Sequence, residues 1–210
     1  MINIVLADDH ALVRQGLKQI LLAQADLAVG GEAANHGEVM QLVRKAPPDV
    51  LVLDINMPGK NGIDTLKQVK QEFPRLPVLM LSMYPEDQYA VRALKAGASG
   101  YLTKMAAAEQ LVDAIRIVAR GRKYITPELA QSLANSLDRD PDVPPHELLS
   151  DREFQVLRLI ASGRTLAQIG DDLALSPKTV SVYRARLLAK LRLASNAELT
   201  RYALTHQLVD

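Results

Sequence analysis

Asp49-Val50-Leu51-Val52-Leu53-Asp54, followed by Ile55-Asn56-Met57-Pro58-Gly59-Lys60-Asn61-Gly62, decides the fold of this 210-residue chain. A continuous apolar run of four residues between polar ends reads as a strand buried on both faces. The run stops at Asp54, and Pro58, Gly59, Asn61 and Gly62 then break regular structure. A carboxylate at the C-terminal end of a central parallel strand lies where open α/β sheets place their chemistry. Taken alone, Asp54 reads more simply as a cap on the next helix. What separates the two readings lies elsewhere in the chain.

On the N-terminal side, Ile2 to Ala7 is an apolar strand ending in Asp8-Asp9. Leu12, Gly16, Leu17, Ile20 and Leu21 follow at helical spacing. A second strand near Leu27 to Ala33 leads into a helix carrying Val39, Met40, Leu42 and Val43 on one side. After the Asp54 strand, Ile63, Leu66, Val69 and Phe73 mark a third helix, closed by Pro74. Pro77 to Ser82 is a fourth strand, with a helix from about Glu86 to Ala96. Gly100 to Thr103 is a short fifth strand, and a last helix turns Leu111, Ala114, Ile115 and Val118 inward. Strand–helix alternation at this spacing predicts a doubly wound, five-stranded parallel α/β sheet with right-handed crossovers and helices on both faces.

The polar residues at the strand ends can then be taken together. Asp8 and Asp9 end the first strand, Asp54 the third and Ser82 the fourth, and Lys104 follows the fifth. Parallel strands share their C-terminal side, so all five project from one edge. Three carboxylates crowded into a partly desolvated cleft repel one another. A hard divalent cation such as Mg²⁺ would resolve that conflict. A lysine and a hydroxyl beside it suit the oxygens of a transferred phosphoryl group.

Over residues 1 to 122 the sequence resembles the receiver domain of bacterial two-component response regulators, a flavodoxin-like fold. The matching pieces are Ala7-Asp8-Asp9-His10, Leu53-Asp54-Ile55-Asn56-Met57-Pro58-Gly59, Leu81-Ser82 and Gly97-Ala98-Ser99-Gly100-Tyr101-Leu102-Thr103-Lys104. The resemblance implies that a sensor histidine kinase phosphorylates Asp54. It implies that Asp9, Asp54 and the Asn56 backbone carbonyl hold Mg²⁺, with Asp8 reaching the metal through water. Lys104 would pair with the phosphoryl oxygens, Ser82 would hydrogen-bond one of them, and Tyr101 would rotate inward as Ser82 shifts. The bland reading of Tyr101 is a half-buried packing residue. One position departs from the family: many receivers place proline after the lysine, and here it is Met105. A cis bond at Lys104-Met105 would cost about 3 kcal/mol, so either that strain is carried or the loop is arranged differently.

Hydrophobic residues make up 48% of the chain, ample for a packed core. No apolar run approaches the roughly 20 residues of a membrane span, and Met1-Ile2-Asn3-Ile4 enters a strand directly with no basic leader. Without cysteine there are neither disulfides nor thiolate metal sites. A cytoplasmic protein fits. His10, His36, His146 and His206 are scattered and form no metal-spaced cluster, so His10 reads as a loop or helix-start residue. The net charge of +1 divides unevenly: from Leu148 onward nine Lys or Arg face six Asp or Glu. An acidic front and a basic back point to two domains with different partners.

Thr126-Pro127 fits an N-cap followed by a first-position proline, opening a helix to about Leu137. Asp138 to Glu147 carries three prolines among alternating charges and reads as a semi-stiff linker. The expected organisation is therefore residues 1–122, a linker helix and Pro-rich linker over 123–147, and a helical domain over 148–210. In that last segment Ser150 with Glu153, Thr165 with Gln168, and Ser195 with Glu198 fit the capping-box spacing. Ser176-Pro177 opens a further helix. Starts are expected near 151, 166, 177 and 196, with a tight helix-turn-helix connection between Leu173 and Pro177. A small helical bundle of any purpose would share these caps.

The helix from Pro177 to Leu191 is more telling. Val180, Leu187, Leu188 and Leu191 form its inward stripe. Lys178, Ser181, Val182, Ala185 and Lys190 spread over its outer side, flanked by Arg184 and Arg186, and it contains no acid. Small residues approach base edges while Lys and Arg neutralise phosphates, so this face fits a major groove.

Residues 148 to 209 resemble the LuxR/FixJ-type helix-turn-helix, through Leu149-Ser-Asp-Arg-Glu153, Val156-Leu157, Gly163, Ile169, Leu173, Leu175-Ser-Pro-Lys-Thr-Val180 and Lys190-Leu191. With the receiver, the chain resembles a NarL/FixJ-family response regulator throughout. Carried over, Lys178 and Thr179 contact phosphates and Ser181, Val182 and Ala185 face bases. Thr165, Ser176, Arg184, Arg186 and Lys190 complete the expected DNA-binding set, and the last helix, Asn196 to His206, supplies the dimer contact. Gly170 stands where alanine is common and is expected to weaken its helix by roughly 1 kcal/mol. Tyr183 replaces a frequent His, and Arg192 a frequent Gly. The expected function is a transcription regulator of promoter DNA, homodimeric when active and switched at Asp54. Two alternatives differ in kind: a phosphorylation-independent regulator with the receiver as scaffold, and an Asp-nucleophile phosphatase. The phosphatase lacks support because Asn56 stands where such enzymes carry a second Asp.

Overall fold

The structure is a computed structural model that describes residues 1–58, 60–83, 86–137 and 144–209. The chain divides into two compact units, residues 1–137 and 138–210.

The first unit runs β1 (Ile2–Ala7), α1 (Ala11–Leu22), β2 (Leu27–Ala33), α2 (His36–Lys45), β3 (Val50–Asp54), α3 (Gly62–Glu72), β4 (Val78–Ser82), α4 (Glu86–Lys95), β5 (Gly100–Thr103), α5 (Ala107–Ala119) and α6 (Pro127–Leu137). All strand pairs are parallel, in the order β2-β1-β3-β4-β5. Because side chains alternate along a strand, each β-strand feeds two cores. Ile4, Leu6, Val50, Val52, Leu79, Leu81 and Leu102 pack with Leu17, Leu21, Leu111 and Ile115 of α1 and α5. The alternate residues Val5, Leu51, Leu53, Met80 and Tyr101, also buried, face the side covered by α2, α3 and α4. Every residue of β3 and β4 is buried, which is why both read as unbroken apolar runs.

One helical stripe differs from expectation. Leu17 and Leu21 are buried, but Leu12 is 82% exposed and Gly16 lies on the surface. Positions 13, 17 and 21 recur every four residues and stay on one face. Position 12 lies about 140° from position 17 around the axis, at 3.6 residues per turn. The expected helix is present; its inward stripe is turned by one residue.

Thr126 caps α6 by accepting from the Leu129 N–H at 3.2 Å. The segment read as a linker helix packs against α4 of the first unit. Of the expected Pro-rich linker, 138–143 lie outside the described residues. A 3₁₀ turn follows at Pro145–Leu148, where His146 Nδ1 lies 3.1 Å from the Tyr202 hydroxyl.

The second unit contains α7 (Asp151–Ala161), α8 (Leu166–Leu173), α9 (Pro177–Leu191) and α10 (Asn196–Thr205). Two of the three expected capping boxes are complete, at Ser150/Glu153 and Thr165/Gln168. At Ser195 the hydroxyl accepts from the Glu198 N–H, while the Glu198 carboxylate reaches the Ala194 N–H, one residue further back.

Gly170 corrects the expectation of a merely weakened helix. It is buried, and its carbonyl accepts from the Leu175 N–H at 2.7 Å as the turn folds back. A Cβ there would lie 2.6 Å from the Leu175 carbonyl oxygen. The glycine is needed for the close approach between helix and turn. Gly170→Ala is therefore expected to cost about 1–2 kcal/mol through overpacking, not to gain the helix-propensity increment. The denaturant midpoint of the full chain checks this, and a raised midpoint would overturn it.

Arg192 adopts the left-handed conformation at φ 55°, as does Ala174 at φ 51°. Left-handed backbone costs a residue with a Cβ about 1 kcal/mol. Arg192→Gly is expected to raise the same midpoint by about that amount.

Candidate functional site

The C-terminal edge of the sheet gathers the strand-end residues. From β1 the next strand, β2, is added on one side of the sheet, whereas from β3 the following strands are added on the other, and this switch opens a crevice between the ends of β1 and β3. Asp8 and Asp54 sit there with only 1% of each exposed. Lys104 Nζ lies 2.8 Å from Asp54 Oδ2 and 2.5 Å from Asp8 Oδ2, so one ammonium spans two buried carboxylates. Burial is the largest influence on Asp54 and pushes its pKa up to about 7. Lys104 works in the opposite direction and Asp8 reinforces the rise. Burial works to lower the Lys104 pKa, but the two carboxylates outweigh it and hold the ammonium above its ordinary value.

The backbone fixes these groups. The Ile55 N–H donates to the Leu81 carbonyl at 3.0 Å and the Lys104 N–H to the Ser82 carbonyl at 2.7 Å, extending the ladders past the named strands. Ser82 and Tyr101 share a sheet face: Ser82 pairs with Thr103, and Met80 with Tyr101. Both are buried, so the Tyr101 ring already lies inside, fully rather than half covered. No cis peptide bond occurs among the described residues, so Met105 is accommodated by a trans linkage in the turn after β5.

Asp9 is partly exposed, with its Oδ1 2.7 Å from His10 Nδ1. His10 is the N-terminal flanking residue of α1, as expected, but its ring also joins the acidic cluster. Its neighbours there are carboxylates, not other histidines. The Asn56 N–H also bonds the Asp54 carboxylate. Three carboxylates gathered around one lysine, all oxygen donors, are compatible with Mg²⁺.

Three further residues shape this edge, and their sequence context gives them no role at the site. Arg14 donates to the Asp8 carbonyl at 2.5 Å. Asn61, fully buried, accepts from the N–H groups of Ile63 and Asp64 at 2.6 and 3.2 Å and so starts α3. Gly62 donates to the Ile55 carbonyl at 2.8 Å, and a Cβ on it would lie 2.0 Å from the Asp54 carbonyl oxygen. Asn-Gly marks a turn in any sequence, but nothing local shows how closely that turn approaches Asp54.

In the second unit, α9 buries Val180, Leu187 and Leu191, whereas Leu188 is only partly covered. Lys178, Ser181, Val182, Ala185 and Arg186 are exposed on the opposite side, Val182 by 47%. Ser176 caps the helix and its hydroxyl lies 2.8 Å from that of Thr179. Thr165 is occupied in its own capping box at the start of α8. Arg186 lies over the Tyr183 ring at 5.9 Å. Two bases have internal partners: Arg184 Nε donates to Asn196 Oδ1 at 2.6 Å, and Lys190 Nζ lies 2.7 Å from Glu153 Oε2. Burial works to raise the Glu153 pKa, but Lys190 and the Ser150 cap hold it below the ordinary value. In this structure Lys190 ties α9 to α7.

Comparison with known proteins supports both halves. The family model "Response regulator receiver domain" matches residues 4–116, and "Bacterial regulatory proteins, luxR family" matches 147–203. The chain is similar to the response regulator GacA of Pseudomonas viridiflava, 38% identical over 211 residues, covering 100% of this chain and 99% of the relative. It is similar to the oxygen regulatory protein NreC of Staphylococcus carnosus, 40% identical over 215 residues, covering 99% of each. Among solved structures, RcsB from Salmonella enterica serovar Typhimurium, bound to promoter P1flhDC in the presence of phosphomimetic BeF₃⁻, superposes with a TM-score of 0.60. That match has 27% identity and covers 96% of this chain and 97% of RcsB.

Proposed function

The chain belongs to the NarL/FixJ-family response regulators, two-component transcription regulators and not enzymes, and on that premise we propose that a phosphoryl group on Asp54 sets its affinity for promoter DNA. The observation that carries the proposal is the Lys104 ammonium held between two buried carboxylates at the sheet edge. The donor would be a phosphohistidine of a sensor kinase. An Asp54 carboxylate oxygen attacks phosphorus, the P–N bond breaks, and the imidazole leaves. Lys104 then exchanges its contact with Asp54 Oδ2 for a phosphoryl oxygen, and the Ser82 hydroxyl donates to another. Asp9, Asp54 and the Asn56 carbonyl would hold Mg²⁺, with Asp8 acting through water. When bound, the ion neutralises the carboxylates and the charge that develops on the phosphoryl oxygens. Ser82 and Tyr101 lie on one sheet face, so a pull on the hydroxyl is transmitted to the ring below it.

The output is read by α9 in a major groove, with Lys178 and Arg186 over phosphates and Ser181, Val182 and Ala185 towards base edges. On α10, Ala197, Arg201 and Leu204 form an exposed stripe, Leu204 being 51% exposed. That stripe suits a homodimer contact that spaces two half-sites. Among the described residues no helix is long and apolar enough to cross a membrane. A partner set of kinase and DNA places the protein in the cytoplasm.

Intact mass after incubation with Mg²⁺ and a small phosphodonor, beside Asp54→Asn, tests the switch. One added phosphoryl group, absent from the variant, with tighter promoter binding by the modified form, is expected. Equal DNA affinity in both forms would leave the receiver as a scaffold. For the output, Lys178→Ala should weaken binding to all sequences alike. The slope of log K against log salt should become shallower by about 0.9 for each phosphate the variant leaves unneutralised. An unchanged slope would remove Lys178 from the interface.

A further inference from the structure

We propose that His36 and Thr65 are positioning residues for phosphoryl transfer, heading a hydrogen-bond relay through Asn61, Gly62 and Ile55 that fixes the backbone presenting Asp54. The inference rests on the reading that Asp54 accepts the phosphoryl group, and adds two residues remote from the acidic edge. The relay begins at the first residue of α2, where His36 Nδ1 lies 3.0 Å from the Thr65 hydroxyl of α3. That hydroxyl lies 3.1 Å from the Asn61 carbonyl oxygen. Two buried oxygens so close must share a proton, and a carbonyl has none, so the hydroxyl donates to it. Thr65 is then left to accept, and its donor is the His36 Nδ1–H. Burial, with the charges of Lys60 and Arg44, outweighs Gln68 and Asp64 and holds the imidazole below its ordinary pKa. The ring is therefore mostly neutral at pH 7, with its proton on Nδ1.

A threonine hydroxyl bonded to the carbonyl four residues back is ordinary in helices. Two features set this one apart. A second helix supplies a donor to the hydroxyl, and the accepting carbonyl belongs to the peptide that abuts Asp54. The Asn61 carbonyl and the Gly62 N–H are two ends of one planar peptide group. That N–H donates to the Ile55 carbonyl at 2.8 Å, one residue past Asp54. A donor on the carbonyl side polarises the N–H on the other and fixes the plane in which it points. Thr65 and Asn61 are fully buried, and the Gly62 backbone sits tightly against the Asp54 carbonyl oxygen. Asn61 has few other restraints on its side chain: Oδ1 accepts from Ile63 and Asp64, and the buried Nδ2 has no partner. The Thr65 N–H also bonds the Asn61 carbonyl, at 3.0 Å, but every helix start has such a bond. The hydroxyl is the added hold, and His36 orients it.

The experiment incubates the full chain and its variants with Mg²⁺ and acetyl phosphate, and follows phosphoryl incorporation by intact mass. Thr65→Val keeps the side-chain shape without the hydroxyl. It should lower the limiting rate about tenfold, the scale of one lost hydrogen bond. Buried Thr65 cannot touch the donor, so half-saturation should stay within about twofold. Thr65→Ser restores the hydroxyl, and His36→Asn places an amide N–H where Nδ1 stood. Both should recover the rate to within about threefold, whereas His36→Phe should slow it as Thr65→Val does. Because the relay is in series, Thr65→Val with His36→Phe should be no slower than Thr65→Val alone; independent losses would multiply. The Gly62 amide proton resonance should move upfield in both disabled variants as its bond to Ile55 lengthens. Rates are taken well below each thermal midpoint, so lost stability alone moves none of them. His36 is partly exposed, and its two variants carry the test if Thr65→Val does not fold. Phosphorylation of His36→Phe at the unmodified rate, or multiplied losses in the double variant, would overturn the relay and leave Asp54 as the acceptor. An unmodified chain that gains no phosphoryl group, or an Asp54→Asn chain that gains one, would remove the reading beneath it.

Discussion

In metal-free buffer at pH 8, Asp54→Asn should melt higher than the unmodified chain by roughly 5–10 °C, corresponding to about 2–3 kcal/mol. Asp54 has a folded-state pKa of about 7 against 3.8 for an unperturbed side chain, burial being the main cause. Between those values the folded state binds the proton that the unfolded chain has released, so stability falls as pH rises. The loss begins above about pH 4 and levels off above pH 7. The stability gap between Asp54→Asn and the unmodified protein should therefore be small near pH 4, widen through pH 5 and 6, and reach a plateau. Lys104 still has Asp8 as a partner in the variant, so no buried ammonium is stranded. Adding Mg²⁺ should stabilise the unmodified chain by mass action and narrow the gap. Melts at four pH values, with EDTA or Mg²⁺, check this. A gap that is constant across pH would mean that Asp54 titrates normally in the fold.

That instability has a functional sense. A nucleophilic carboxylate must be ionised, yet the burial that excludes water from the acyl phosphate opposes ionisation. The ammonium of Lys104 offsets part of that cost in the resting state, and a divalent ion offsets more. The site is thus a cluster of three acids and one fixed base that remains under-neutralised until cation and phosphoryl group arrive together.

The parts legible in sequence are those governed by local rules. The strand at Val50–Asp54, the helix starts at 151, 166, 177 and 196, and the Ser150 and Thr165 capping boxes all follow from residues within a few positions of one another. The convergence of Asp8, Asp54 and Lys104 was also legible, because parallel strands leave no choice about which edge their ends share. What escaped depends on contacts between distant segments. Leu12 and Val13 are equally apolar, and only packing against the sheet decides which faces in. Lys190 reads as a DNA contact from its helix face, and its pairing with Glu153, 37 residues away, appears only once α7 and α9 are side by side. Gly170 reads as a weak helix residue until the Leu175 carbonyl is seen beside it.

Gly62 is the sharpest case of a constraint hidden from the sequence, and Gly62→Ala is expected to disable the switch. The glycine opens α3 directly beneath the Asp54 loop. A methyl group would fall 2.0 Å from the Asp54 carbonyl oxygen and 2.7 Å from the Ile55 Cα. Both are backbone atoms at the end of a fully buried strand, so no side chain can swing away to make room. Either α3 lifts off, breaking the Gly62–Ile55 hydrogen bond, or the phosphoacceptor loop is displaced. Overpacking of this kind is expected to cost about 3 kcal/mol. Displacement of the nucleophile by about 1 Å should slow phosphoryl transfer by up to roughly 100-fold. Gly16→Ala is the matched control: it lies within α1, nothing approaches its Cβ position within 4 Å, and helix propensity should stabilise it by about 1 kcal/mol. The two variants make the same chemical change and should shift the thermal midpoint in opposite directions. Only Gly62→Ala should slow incorporation of the phosphoryl group. Equal behaviour of the two would show that α3 can retreat freely from Asp54, and would remove Gly62 from the set of residues that position the nucleophile.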